Sequence, residues 1–183
     1  MRSVVACVLL GGGAANVWAH DPGLSTAQGD LRDGRLVLTT GFAPADAQEF
    51  LPVAVRREGS WTQEDFEQVH APLLAMAPRL WEVQAGDKVL QPVEARVELL
   101  PEDNVSFTLV YPDAAKAGRL VLRALRIPEL PGGHRQFVIV SDASGSVITK
   151  KLLSSRDLTL EVPLVTAVAG QTATEASTGE APT

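Results

Sequence analysis

The chain has 183 residues, 45% of them hydrophobic, and its 16 basic against 22 acidic residues give a formal charge of −6. This is the size of one domain with enough apolar material for its own core. The acidic balance, without any Lys/Arg cluster interleaved with aromatics, disfavours nucleic acid and anionic lipid as partners.

Residues Met1 to Ala19 read as a cleavable secretory signal. Arg2 is followed by an apolar stretch from Val4 to Ala15, and Asn16-Val17-Trp18-Ala19 places small residues at −3 and −1 of a cut after Ala19. The stretch is short for a bilayer span, and no second apolar span follows, so the processed chain is expected to have no transmembrane segment. The expected location is the periplasm or the extracellular space. The single cysteine, Cys7, lies inside the signal. Its spacing from Met1 leaves no room for the apolar region that a lipoprotein box requires. The processed chain then has no disulfide and no cysteine metal ligand, and its fold rests on packing.

Beyond the signal, period-two alternation dominates. Arg35 to Phe42 puts Leu36, Leu38, Thr40 and Phe42 on one face, and Asp33-Gly34 before it is a residue pair suited to a tight hairpin. Pro44 to Phe50 suggests a short helix closed by Pro52. Thr62 to Asp65 has the form of a capping box, opening a helical stripe at Phe66, Val69, Leu73, Ala77 and Leu80. Pro72 is expected to kink or split that helix at Ala71, and Pro78 to end it.

From Trp81 onward the pattern returns to strands. Trp81 to Leu90 turns at Gly86-Asp87, Val93 to Leu99 alternates apolar with charged residues, and Val105, Phe107, Leu109 and Tyr111 follow a turn at Glu102-Asp103-Asn104. Arg119–Ile127, Gln136–Ser141, Val147–Leu153 and Leu158–Val162 extend the series. The expected fold is a mainly β, antiparallel, immunoglobulin-like β-sandwich over residues 20–163, with one inserted helical segment around 62–80. Residues 164–183, rich in Ala, Thr, Gly and Glu, read as a disordered polar tail.

Four segments carry a family resemblance: His20-Asp21-Pro22-Gly23-Leu24-Ser25, Phe42-Ala43-Pro44-Ala45-Asp46 leading to Leu51-Pro52, Pro101-Glu102-Asp103-Asn104-Val105, and Gly133-His134-Arg135-Gln136-Phe137. Together they resemble the extracytoplasmic N-terminal region of HupE/UreJ-like membrane proteins, over roughly residues 20 to 163. Members of that family usually continue into transmembrane helices, and relatives are linked with nickel or cobalt uptake. This sequence has no such helices, so the resemblance implies a shared soluble portion and a membrane or envelope partner, and does not carry transport over. An EF-hand-like loop in that family would correspond here to Ala54, Arg56, Glu58, Gly59, Trp61 and Asp65. Gly59 and Asp65 fit, but Ala54 offers no oxygen and Arg56 brings a positive charge, so calcium is not expected.

Processing after Ala19 would make His20 the N-terminus, where its α-amine and imidazole could chelate one metal, copper(II) or nickel(II). His134, in the loop after Pro131-Gly132-Gly133, is the expected second ligand, with Asp21 as an oxygen donor. His70, beside the apolar stripe, reads as a partly buried imidazole bonded to a carbonyl. Motifs for hydrolysis are missing: there is no Gly-x-Ser-x-Gly and no His-Glu-x-x-His. Glu82, Glu94, Glu98 and Glu129 read as solvated strand-face residues rather than a glycosidase pair. The expectation is an exported, non-catalytic binding or accessory module, with a copper- or nickel-binding protein as the alternative.

Overall fold

The computed structural model describes residues 23–164 apart from 57, 58, 102 and 117. The signal segment, His20, Asp21 and the tail from 165 onward lie outside the described residues. In chain order the elements are β1 (Leu24–Arg32), β2 (Arg35–Phe42), α1 (Pro44–Ala47), α2 (Gln63–Met76), β3 (Trp81–Ala85), β4 (Lys88–Leu90), β5 (Glu94–Leu100), β6 (Asn104–Tyr111), β7 (Arg119–Ala124), β8 (Arg135–Ser141), β9 (Val147–Ser154) and β10 (Thr159–Pro163). Short 3-10 turns join several of them.

The strands form two sheets, one of six in the order β5-β6-β2-β1-β8-β9 and one of four in the order β10-β7-β3-β4. The β-sandwich expected from the alternation is therefore present. It departs from a purely antiparallel arrangement at one pair: β1 runs parallel to β8, from Leu24 opposite Arg135 to Asp30 opposite Ser141. Alternation assigns each residue to a face but not each strand to a neighbour, so this pairing had no signal in the sequence.

The β1–β2 hairpin turns at Asp33 and Gly34, both with positive φ (50° and 77°), as the twist of a two-residue hairpin loop demands. Leu36, Leu38, Thr40 and Phe42 all point inward and are buried. From the facing sheet Val83, Leu120, Leu122 and Val162 close the core. One buried hydrogen bond ties the sheets together, with Trp81 Nε1 of β3 donating to Thr40 Oγ1 of β2 at 2.9 Å.

The helix α2 begins at the expected capping box. The Asp65 amide donates to Thr62 Oγ1 at 3.1 Å, and the Thr62 amide donates to the Asp65 carboxylate at 3.1 Å. Phe66, Val69, Leu73, Ala77 and Leu80 are all buried. Pro72 does not split the helix, which runs through it to Met76 before a 3-10 turn at Ala77–Arg79. Buried residues on both sides of Pro72 hold the segment against β5, offsetting the one missing backbone donor. Among the described residues no helix is long and apolar enough to cross a membrane.

Candidate functional site

Two polar constellations stand on the same strands, one on each face of the six-stranded sheet. The inward one is built by β1, α1 and the start of β8. Ser25 is the first inward residue of β1, Asp46 lies in α1, and His134 immediately precedes β8. They are 0%, 6% and 3% exposed. Ser25 Oγ lies 2.9 Å from His134 Nε2 and 3.4 Å from the Arg135 carbonyl. On the other side of the ring, His134 Nδ1 stands 3.7 Å from an Asp46 carboxylate oxygen, too far for a hydrogen bond. The Ser25 hydroxyl has one proton to give, to the Arg135 carbonyl or to Nε2, and the imidazole tautomer decides which. Burial pushes the His134 imidazole below its ordinary pKa, and the Asp46 charge pulls in the opposite direction.

The order Ser–His–Asp is that of a nucleophilic triad. The geometry differs in access: Ser25 has no exposed surface, so no carbonyl carbon can approach Oγ without the strand leaving the sheet. What the cluster does in this conformation is join three segments distant in sequence. The Phe42 ring lies 6.5 Å from the His134 ring and packs edge-on against Phe50 at 5.1 Å, closing that end of the sandwich.

Of the three expected metal ligands, only His134 is among the described residues. Its Nε2 is engaged by Ser25 and its Nδ1 is enclosed beside Asp46, so binding a metal would require the ring to leave this nest. The Arg135 amide donates to the Gly23 carbonyl at 2.8 Å, which anchors the chain three residues after His20 close to His134. No group of three or more His, Cys, Asp or Glu side chains able to hold a metal occurs among the described residues. In the EF-hand-like segment, Arg56 is paired with Glu49 at 2.6 Å and Asp65 serves the helix cap. His70 packs its ring edge-on against Phe66 at 5.4 Å.

The outward constellation follows from strand register. Across the sheet, Glu98, Ser106, Gly41, Thr26, Phe137 and Leu152 form one row. Arg96, Thr108, Thr39, Gln28, Ile139 and Lys150 form the next. Small and polar residues thus occupy the middle, with a wall of Phe137 and Ile139 beside them. Here lies a cavity of about 490 Å³, reaching Asp30, Leu100 and Asn104. Gly41 has no φ requirement for glycine; its place is set by space. A Cβ there would lie 2.9 Å from Asn104 Oδ1 and 3.0 Å from its Nδ2, so the carboxamide rests directly on the bare strand. Asn104 Oδ1 is buried there without a hydrogen-bond partner.

Neither constellation is a contiguous motif, yet three of the four resemblance segments each supply one member of the inward cluster, and the fourth supplies Asn104. That coincidence was the available signal; the register that joins them was not. No protein-family model matches the chain, and no curated protein matches it.

Proposed function

We propose that the chain is an exported, non-catalytic binding module of the cell envelope, and that it makes contact through the outer face of its six-stranded sheet. The observation that carries this reading is the cavity between Thr26, Gly41, Asn104 and Phe137, on a sheet face that also exposes Leu152 and Leu100. The enclosed position of Ser25 supports the non-catalytic part of the proposal. A membrane or envelope partner, and a kinship with the soluble region of HupE/UreJ-like proteins, are what the four resemblance segments imply; the periplasmic or secreted location rests on the signal segment.

The test is co-purification of envelope components with the secreted chain and with an Ile139→Glu variant, which places a charge in the wall of the cavity. Wild-type chain should retain a component that the variant loses. Equal retention by both would count against this face. The copper or nickel alternative keeps His20 and Asp21 as ligands near the Gly23 anchor. It is tested separately by titrating copper(II) into chain that begins at His20 and into chain with one extra residue before it.

A further inference from the structure

We infer that the cavity on the outer face of the six-stranded sheet is a binding site for a neutral oligosaccharide, with a sugar ring resting on Phe137 and Ile139 and its hydroxyls meeting Gln28, Thr39, Asn104 and Ser106. The inference rests on the binding-module reading above and adds the chemical class of ligand. At about 490 Å³ the cavity falls within the roughly 300–1,000 Å³ of ordinary small-ligand sites.

The lining selects by charge and polarity. Among the described residues no lysine or arginine lines the cavity, and the carboxylate of that lining, Asp30, lies within 3.5 Å of Gln28 Nε2 and 4.0 Å from Arg32. An anion would find no cation in that lining to pair with. A wholly apolar ligand would strip water from hydroxyls and carboxamides without replacing their hydrogen bonds. An extended peptide gains its affinity at a sheet edge, whereas the backbones of β1, β2 and β8 are already paired on both sides. A sugar presents hydroxyls around a ring with an apolar C–H face, which matches a hydroxyl- and amide-lined floor beside an aromatic wall.

Gly41 and Asn104 supply a second, independent observation. Glycine weakens a strand interior and marks a close approach of another group. Here the carboxamide lies against Gly41 with its carbonyl oxygen unpaired. An unmade bond of this kind costs free energy until a donor arrives. Rotating the carboxamide off Gly41 turns Oδ1 into the cavity, where a sugar hydroxyl can donate to it.

The experiment is calorimetric titration of the full chain with cellotetraose, maltotetraose and chitotetraose, alongside Asn104→Ala and Phe137→Ala. The first variant removes the carboxamide that accepts from the sugar hydroxyl, and the second removes the ring platform. Both are first compared with wild type by circular dichroism and thermal melting. At least one tetrasaccharide should bind saturably, weakened about tenfold or more in each folded variant. No binding of any of the three, or binding unchanged in both variants, overturns the inference. If no sugar binds while an envelope protein is still retained in an Ile139-dependent way, the saccharide assignment fails and the binding-module reading stands. If both are lost, both fail.

Discussion

The two outer faces of the sandwich are built by the same alternation but are finished differently. On the four-stranded sheet, Arg123 lies 3.9 Å from Glu82 and Arg119 3.6 Å from Glu161, so its outward charges find partners on neighbouring strands. Such pairs contribute little to stability and keep a face solvated. On the six-stranded sheet, Arg96, Glu98 and Lys150 stand on the outer strands β5 and β9, while the middle strands carry hydroxyls, carboxamides, the Asp30 carboxylate and a half-buried aromatic. The four-stranded sheet has a cavity of about 200 Å³ beside Glu82 and Val89, whereas the six-stranded face has one of about 490 Å³ and an unpaired carbonyl oxygen. The proposed contact surface is placed on the second of these faces, in a chain whose motifs name neither.

The comparison is sharpened most by the residues on the reverse of the contact face. Replacing His134 with Ala should cost about 3 kcal/mol in urea unfolding, because it leaves a hole among buried residues and removes the hydrogen bond between Ser25 and the imidazole. Binding by the outward face of the folded variant should change far less than stability. The same histidine sets a pH dependence. Its folded pKa lies below its unfolded value, so the unfolded chain takes up the proton first. The stability contribution is complete above about pH 6.5 and is lost as pH falls from there through the folded pKa. Urea midpoints measured from pH 7.5 down to pH 5 should fall in wild type and flatten over that window in His134→Gln.

Two mid-strand glycines give the next contrast. A Cβ at Gly29 would meet Leu36 Cδ1 at 3.1 Å and Val140 Cγ2 at 3.2 Å inside the core. Gly29→Ala should therefore destabilise by about 1–3 kcal/mol through overpacking. Gly41→Ala has only the end of a flexible carboxamide to displace, and should stay within about 0.5 kcal/mol of wild type in the same denaturation assay. The smallest effect belongs to the solvated face: Arg123→Gln should move stability by less than about 0.5 kcal/mol and leave binding unchanged. A large loss of binding in Arg123→Gln would break the comparison.

The sequence was most legible where structure is local. The Asp33-Gly34 hairpin, the Thr62–Asp65 cap and the inward sets of β2 and β6 follow from short-range rules and appear where those rules put them. Two local readings met a tertiary override. Pro72 stays inside α2 because Phe66, Val69, Leu73 and Met76 are buried on either side of it, and Val93, in step with Val97 and Leu99, is 68% exposed just ahead of β5. Long-range pairing was not legible. Ser25 and His134 are 109 residues apart and meet only because β1 lies parallel to β8, a neighbour that alternation does not choose. Gly41 and Asn104 meet for a similar reason, since β6 pairs with β2 and brings the start of one strand over the end of the other.

The central claim is that contact is made through the outer face of the six-stranded sheet, and two glutamines allow both faces to be questioned in one experiment. Gln28 projects from that face on β1, and Gln84 projects from the opposite outer face on β3. A photo-crosslinking amino acid placed at each position in turn, in the chain exported by living cells, reports what lies against it on irradiation. The account predicts a specific adduct with an envelope component from position 28 and none from position 84. An adduct from position 84 alone, or the same adducts from both, would contradict it.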